Sequence, residues 1–279
     1  MVKFIVDSTF GLSRVYAAKN DVTKVNLTVL LHGKEYPEGF SEEWEEFYTE
    51  YAGGKSAATT SQPSPRAFMD AIDGIYEKPE NDGADVIILT IGDRLSGSVG
   101  SANIASLQYP TRRIGVIDTS CAAVSAFLFL DEMIKAEKAG KNFDELMAYG
   151  DELKKRISIK FIPSSLTELN RGGRVGKALT RIGTILNIRP IFSFSQNKVD
   201  VLSKHIGIKS AVNSAVSKLP ENIERIALCY IYDDSNVQVL KDRLQAVRGL
   251  SDVDVYPVSP VLGAHIGVGT VGVATLEKA

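Results

Sequence analysis

Asp85-Val86-Ile87-Ile88-Leu89-Thr90-Ile91, followed by Gly92-Asp93-Arg94-Leu95-Ser96-Gly97-Ser98, is the stretch from which the fold is read. Asp85 to Ile91 is a nearly continuous apolar run, the pattern of a central parallel strand covered on both faces. A polar, glycine-containing loop follows, then a helix through Ala102 to Leu107. The same order appears on either side. Phe4 to Val6 is a short apolar strand ending in the capping types Asp7-Ser8-Thr9, and Ile114 to Ile117 is another, ending in Asp118-Thr119-Ser120. Helices are expected near Pro65, from Ala122 to Ala139 and from Phe143 to Arg156. Alternating strands and helices imply a parallel sheet with helices on both faces, so the polar loops collect along one sheet edge, where open α/β folds hold ligands.

The remaining first-half features are local. Val25, Leu27, Val29 and Leu31 alternate within Val22 to Leu31, the mark of one half-buried strand, and His32-Gly33-Lys34 turns the chain. Ser41 before Glu42, Glu43, Glu45 and Glu46 starts a helix whose aromatic face is Trp44, Phe47, Tyr48 and Tyr51. Gly53-Gly54 breaks it. The second half has a different texture. A strand over Ser158 to Ile162 precedes short helical pieces around Leu166 to Asn170 and Lys177 to Arg181. Ile188 to Phe194 and Lys198 to Leu202 form a hairpin turning at Ser195-Gln196-Asn197. Helices Ile208 to Leu219 and Val237 to Val247 then alternate with strands Ile226 to Tyr232, Val253 to Val258 and Val271 to Leu276. The expected fold class is α/β with two domains. Residues 1–156 form a three-layer α/β/α unit with a parallel sheet, and residues 157–279 a two-layer unit with a mixed sheet.

Composition agrees. A chain of 279 residues is long for one core and comfortable for two, and 44% hydrophobic with 24% charged residues is ordinary for a soluble globular protein. The formal net charge of −2 argues against a nucleic-acid partner. The N-terminal residues enter a strand pattern directly, without the apolar core of a signal peptide, and the apolar stretch Ala122 to Leu130 is too short to span a bilayer. The 2 cysteines, Cys121 and Cys229, read as small buried hydrophobes in a reducing compartment, so a cytoplasmic location is expected. A reactive thiol at Cys121 is the alternative, since that residue stands where a helix starts.

Four polar segments remain as candidate functional sequence. They are Thr59-Thr60-Ser61-Gln62-Pro63, Leu95-Ser96-Gly97-Ser98, Arg171-Gly172-Gly173-Arg174 and Gly263-Ala264-His265-Ile266-Gly267. Gly267-Val268-Gly269-Thr270-Val271-Gly272 matches a dinucleotide fingerprint letter by letter, but it precedes a strand and opens no helix, so that reading is rejected. Of the 3 histidines, His32 lies in a turn and His205 follows a strand; both read as surface residues. His265, in a glycine-flanked loop entering the last strand, is either a candidate ligand contact or a histidine satisfied by backbone carbonyls. Thr60 and Ser96 taken singly are turn and cap residues. Arg171 and Arg174 contact a phosphate or a partner protein, clamp the interface between domains, or pair with a carboxylate at a helix start. The histidines and cysteines lack metal-ligand spacing, and no nucleophile elbow, Walker segment or paired-histidine zinc motif is present. Neither a metal nor a cofactor is expected.

In order and spacing these segments, with Asp7-Ser8-Thr9, resemble the DegV family of fatty-acid-binding proteins, from Phe4 to Leu276. Leu186-Asn187-Ile188-Arg189-Pro190-Ile191 likewise resembles a family strand. The resemblance implies a long-chain fatty acid held between the domains, its carboxylate on Thr60, Ser96 and His265, with Ser61, Gly97 and Ile266 alongside. It also implies a non-catalytic carrier that presents the acid to a separate fatty acid kinase, giving an acyl phosphate for phospholipid synthesis. Two hydroxyls and an imidazole N–H would satisfy most of a carboxylate's acceptor sites without burying a full opposite charge. The chain departs from the family at three places. Gly92-Asp93-Arg94 stands where a Ser-Ser pair is usual, and Gly97-Ser98-Val99 where Gly-Thr-Tyr is typical. Ile206-Gly207-Ile208 stands where many acyl-presenting members carry an Arg-Thr pair associated with the kinase partner. Two rival readings are carried forward. One is an esterase or acyl transferase using Ser96 and His265; the other is a binding protein for another small carboxylate or phosphate, engaging Arg171 or Arg174.

Overall fold

The computed structural model describes residues 1–53, 57–175 and 188–279. The N-terminal part contains strands β1 (Val2–Asp7), β2 (Val22–Val25), β3 (Thr28–Leu31), β4 (Lys34–Pro37), β5 (Thr59–Ser61), β6 (Asp85–Thr90) and β7 (Ile114–Asp118). Its helices are α1 (Arg14–Lys19), α2 (Glu45–Gly53), α3 (Pro65–Tyr76), α4 (Ser98–Ser106), α5 (Val124–Lys138) and α6 (Phe143–Arg156). A four-stranded parallel sheet runs in the order β2-β1-β6-β7, with Ile5 opposite Ile88 and Ile88 opposite Val116. Because β6 is central, successive residues must be apolar on both faces. Val86 and Ile88 pack with Phe68 and Ile72 of α3 and with Ala102 and Ala105 of α4. Ile87 and Leu89 pack the other way, against Phe129 and Met133 of α5 and Leu146 of α6. Each such fully buried side chain is worth about 1.5–3 kcal/mol in transfer free energy, which makes this layer the rigid frame for the loops at its edge.

Helix α6 ends at Arg156, and the C-terminal part begins at once with β8 (Ile157–Ile162). It continues through α7 (Thr167–Gly172), β9 (Ile188–Ser195), β10 (Lys198–Ile206), α8 (Ile208–Ser217), β11 (Ile223–Tyr230), α9 (Val237–Arg248), β12 (Val255–Pro257), α10 (Pro260–Ile266) and β13 (Val271–Glu277). The sheet is mixed, in the order β10-β9-β8-β13-β11-β12, parallel only between β11 and β12. Ile162, Ile191, Leu228 and Val273 on one face pack with Val212 and Val216 of α8 and Leu240 of α9. The opposite face presents Ile159, Phe194, Ala227 and Cys229 to Ala122, Val124 and Leu128 of the N-terminal part and to Val261 and Leu262 of α10. An interior space between the two parts follows from this arrangement.

Several expectations are corrected. Val22 to Leu31 is two strands: β2 belongs to the parallel sheet, whereas β3 leaves it for a separate three-stranded antiparallel sheet, β4-β3-β5. The alternation misleads because Val25, Leu27, Val29 and Leu31 are buried in turn across the break at exposed Asn26. Thr59-Thr60-Ser61 is a short strand, and Val29 pairs with Thr60. His265 lies on the last turn of a helix, where a loop was expected. Residues 41–43 form a single 3-10 turn before α2 begins. The hairpin turn is tighter than anticipated, with Gln196 and Asn197 both left-handed (φ 47 and 56), as two-residue hairpins require. The helix expected over Lys177 to Arg181, and also Gly54, Leu186 and Asn187, lie outside the described residues.

Candidate functional site

A cavity of about 350 Å³ lies between the two parts, within the size range of small-molecule sites. Its body is apolar. Phe161, Phe194, Val199 and Cys229 of the mixed sheet face Ile91, Ala122 and Ala123 of the parallel-sheet edge. Gly272 also lines it, and a Cβ there would stand 2.8 Å from Cys229 Sγ, so the wall packs this closely only with glycine at that position. Polar groups gather where Thr60, Ser61, Gln62, Ser96, His265 and Arg174 line the cavity.

Three separate elements deliver this polar end. Thr60 sits at the middle of β5, fixed by its pairing with Val29. Ser96 follows β6 in the loop that leads into α4, where its Oγ lies 2.9 Å from Ser98 Oγ and accepts from Ser98 N at 3.3 Å. Gly97 has no side chain where Gln62 lies, for a Cβ would meet Gln62 Oε1 at 2.1 Å. His265 belongs to α10, which Ser259 and Pro260 start in the usual manner, with Ser259 extended and proline in the first turn. That helix is held from the N-terminal part by the Tyr48 hydroxyl, which donates to Val258 O at 2.6 Å. Thr270 Oγ1 donates to Gly267 O at 2.8 Å, closing the helix end.

Thr60 Oγ1 and His265 Nε2 are 2.7 Å apart, so residues 205 positions distant in sequence meet directly. Burial, and after it the nearby Arg174 guanidinium, pushes the His265 imidazole down to about 4, leaving it neutral at pH 7. A neutral ring that donates from Nε2 to Thr60 leaves the Thr60 hydroxyl proton free to point at a guest. Gly172 packs on the same histidine, since a Cβ there would stand 2.9 Å from His265 O and 3.0 Å from Nδ1. This gives the Arg171-Gly172-Gly173-Arg174 segment a concrete role as the surface against which the imidazole rests.

The structure therefore places Thr60, Ser61, Ser96, Gly97, His265 and Ile266 around one cavity, with Thr60 and His265 in contact. Arg174 lines it as well, donating from Nη1 to Gly172 O at 2.9 Å. Arg171 is exposed on α7 and is not part of the wall. Ser96 and His265 do not form a nucleophile–base pair: the imidazole nitrogen is engaged by Thr60 and the Ser96 hydroxyl by Ser98. Cys121 is buried, and burial pushes its thiol up to about 12, the opposite of an activated cysteine. Sequence reasoning missed Gln62, Thr270 and the apolar wall. The hairpin register is the signal that points to Val199 and Phe194, since they are direct partners across it. Among the described residues, no group of three or more His, Cys, Asp or Glu is placed to hold a metal ion, and no helix is long and apolar enough to cross a membrane.

Fold and site together define an α/β protein with a largely apolar cavity between its two parts and a small set of polar groups at one place in its wall, the usual make-up of a small-molecule site. Residues 1–278 match the family model "Uncharacterised protein, DegV family". The chain belongs to the DegV family. The DegV domain-containing protein YteA of Lactococcus lactis is 29% identical over 287 residues, covering 99% of this chain and 98% of the relative. The fatty-acid-binding DegV protein of Thermus thermophilus has the same fold at 26% identity, with a TM-score of 0.85 and 99% of each chain covered. A stearic-acid-binding protein of Eubacterium ventriosum is similar at 26% identity and a TM-score of 0.85, covering 100% of this chain and 99% of that one.

Proposed function

We propose that this chain is a cytoplasmic carrier for one long-chain fatty acid, held in a tunnel between two domains, residues 1–156 and 157–279. The carboxylate sits at Thr60, Ser96 and His265, with Ser61, Gly97 and Ile266 at its side. The Thr60 and Ser96 hydroxyls donate to it, and His265 holds the Thr60 oxygen so that the hydroxyl proton faces the ligand. The acyl chain runs along Phe161, Phe194, Val199 and Cys229. The observation that carries this reading is the 2.7 Å contact between Thr60 and a neutral His265 at the polar end of an otherwise apolar cavity. Similarity over the whole chain to the fatty-acid-binding protein of Thermus thermophilus supports it. So does the energetics: each buried methylene contributes about 0.8 kcal/mol, so a long chain offsets the cost of association, whereas a short acid would leave much of the wall without a partner.

The carrier has no nucleophile of its own. In the fuller form of the proposal it offers the bound carboxylate to a separate kinase, whose phosphoryl transfer yields an acyl phosphate. The exposed Arg171 and the cavity-lining Arg174 are then the cations available to the new phosphate.

The test is to purify the protein, denature it in organic solvent and identify by mass spectrometry what is released. About one equivalent of a long-chain fatty acid per chain is expected. Release of none, together with failure to take up added palmitate or oleate, would overturn the carrier reading.

A further inference from the structure

Behind the polar end lies a second, fully buried polar layer. Glu38, directly after β4 and 1% exposed, stands between the two halves of the molecule. Its Oε2 accepts from the Ser8 hydroxyl at 2.5 Å, and its Oε1 accepts from the Val261 N–H at 2.6 Å, in the first turn of the helix that carries His265. The Ser8 hydroxyl itself accepts from Leu27 N at 2.9 Å, at the entry to β3, on which β5 and Thr60 are laid. Next to Ser8, Asp7 is 0% exposed and takes the Ile91 N–H at 2.8 Å, at the end of β6 from which the Ser96 loop departs. The Glu38 backbone is fixed too, its N–H donating to Leu27 O at 2.9 Å and its carbonyl accepting from Trp44 Nε1 at 2.5 Å.

A carboxylate this deep is costly unless its lone pairs are used. Here burial raises the Glu38 pKa, while the Ser259 and Ser8 hydroxyls and the Val261 N–H oppose that rise and the Asp7 charge adds to it. An apolar side chain would fill the space without that cost, but it would fix no direction. Acceptors aimed at Ser8 and Val261 set the position of α10 relative to β3 in a way packing alone does not. The polar end needs this, because its key contact joins α10 to β5 through one hydrogen bond.

We propose that Glu38 is a positioning residue for the binding site: clamped between Ser8 and Val261, its carboxylate sets the helix carrying His265 in register with the strand carrying Thr60. Asp7 extends the same layer to the Ser96 loop, so the three polar groups of the site are referenced to one buried point around Ser8. The binding effect rests on the fatty-acid reading above; the positioning of His265 does not.

The experiment compares wild type, Glu38→Ala, Glu38→Gln and Ser8→Ala by two readouts. One is the dissociation constant for the fluorescent fatty acid cis-parinaric acid; the other is the His265 titration midpoint followed by NMR in ligand-free protein. Arg225→Leu, remote from the site, serves as the control for general loss of stability. Glu38→Ala is expected to weaken binding at least tenfold beyond the control, corrected to equal stability loss, and to move the His265 midpoint from about 4 toward its ordinary 6.5. Glu38→Gln, which keeps an acceptor for Val261, restores binding to within about threefold of wild type. Binding and a His265 midpoint unchanged in Glu38→Ala would overturn the proposal. If that variant fails to fold, Ser8→Ala decides by the same two readouts. If wild type itself takes up no fatty acid, the carrier reading falls, and the His265 midpoint alone still decides whether Glu38 positions the helix.

Discussion

Among the described residues, two groups of contacts between the N-terminal and C-terminal parts differ in what they are made of. At the cavity the link is made of single hydrogen bonds: Thr60 to His265, Tyr48 to Val258 O, and the Glu38 carboxylate to a backbone N–H. On the far side it is ionic. Arg225 Nη1 of β11 donates to Asp131 Oδ2 at 2.7 Å and Glu132 Oε1 at 2.6 Å on α5, and Lys135 lies 3.1 and 3.0 Å from the same two carboxylates. The Tyr16 hydroxyl donates to Asp131 at 2.8 Å, and Arg156 adds an ion pair to Glu224 at 2.6 Å. The ionic contact suits permanent attachment, because its charges already have partners. The hydrogen-bonded contact leaves the Thr60 hydroxyl with spare donor capacity, which the proposed carboxylate ligand would use. On the proposed function, holding and binding fall to different edges of one interface.

The largest expected effect separates the two contacts by pH. An unfolded histidine takes up its proton near 6.5, whereas His265 in the fold resists protonation until about 4. Between those values the unfolded chain binds the extra proton, so this group's contribution to stability falls as pH drops through the window and is complete only above it. Asp7 acts in the opposite sense. Burial raises it to about 6 against the opposing hydrogen bonds of Thr9 and Ile91, so its contribution grows as pH falls from about 6 toward 3.8. The difference between wild type and His265→Asn isolates the histidine: wild type should lose about 3 kcal/mol relative to the variant between pH 6.5 and pH 4. Parallel denaturation curves at both pH values would show that His265 is not buried in neutral form.

Next in size are the paired substitutions that attack each contact alone. Thr60→Val keeps the shape of β5 and removes the hydroxyl. Affinity for cis-parinaric acid should fall by about 2–3 kcal/mol, as for a lost hydrogen bond to an ionised group, and the midpoint temperature should fall too, because His265 Nε2 loses its partner at a cost of about 1–3 kcal/mol. Arg225→Leu should cost stability alone. The carboxylates it leaves are only 20% and 10% exposed, but Lys135 still faces them, so the stability loss is about 1–2 kcal/mol rather than that of an unpaired buried charge. Fatty-acid affinity should stay within about threefold, because Arg225 does not line the cavity. If the two variants had the same profile, the division between binding and holding would be wrong.

Most of the frame was legible because the signals were local and strong. Helix α6 was anticipated at both ends: Asn142 and Glu145 form a capping box, and Lys154, Lys155 and Arg156 occupy the last turn. β6 was legible because a strand covered on both faces has no polar position to hide it. The site was legible only in part. Thr60, Ser96 and His265 were singled out by motif, yet the helix under His265 was hidden by Gly263, which normally disfavours helix. That glycine is there because the Tyr48 hydroxyl occupies the space, 2.4 Å from where a Cβ would sit. β4 and β5 were missed because both are short and largely exposed, and β5 joins β3 across a long intervening segment. Glu38 carried no signal at all. Pro37-Glu38-Gly39 reads as a solvated turn, and Glu38 is buried only by partners distant in sequence, Ser8 from the start of the chain and Val261 from its far end.

The smallest expected effect tests where the two contacts meet. Helix α5 carries Asp131 and Glu132 of the ionic contact, and its N-cap, Ala123, lines the cavity. Ala123 has φ 52 and ψ −136, a conformation that only glycine adopts without strain. Ala123→Gly relieves that strain but adds freedom to the unfolded chain, and the two effects nearly balance. A net gain of about 0.5–1 kcal/mol is expected, where glycine in an ordinary helical position would cost a similar amount. The sign is the result to read. A rise in midpoint temperature would mean that the cavity wall is held in a strained shape by the packing on either side of it. A fall would mean that Ala123 sits there at no cost, and that the ionic contact places no strain on the wall of the site.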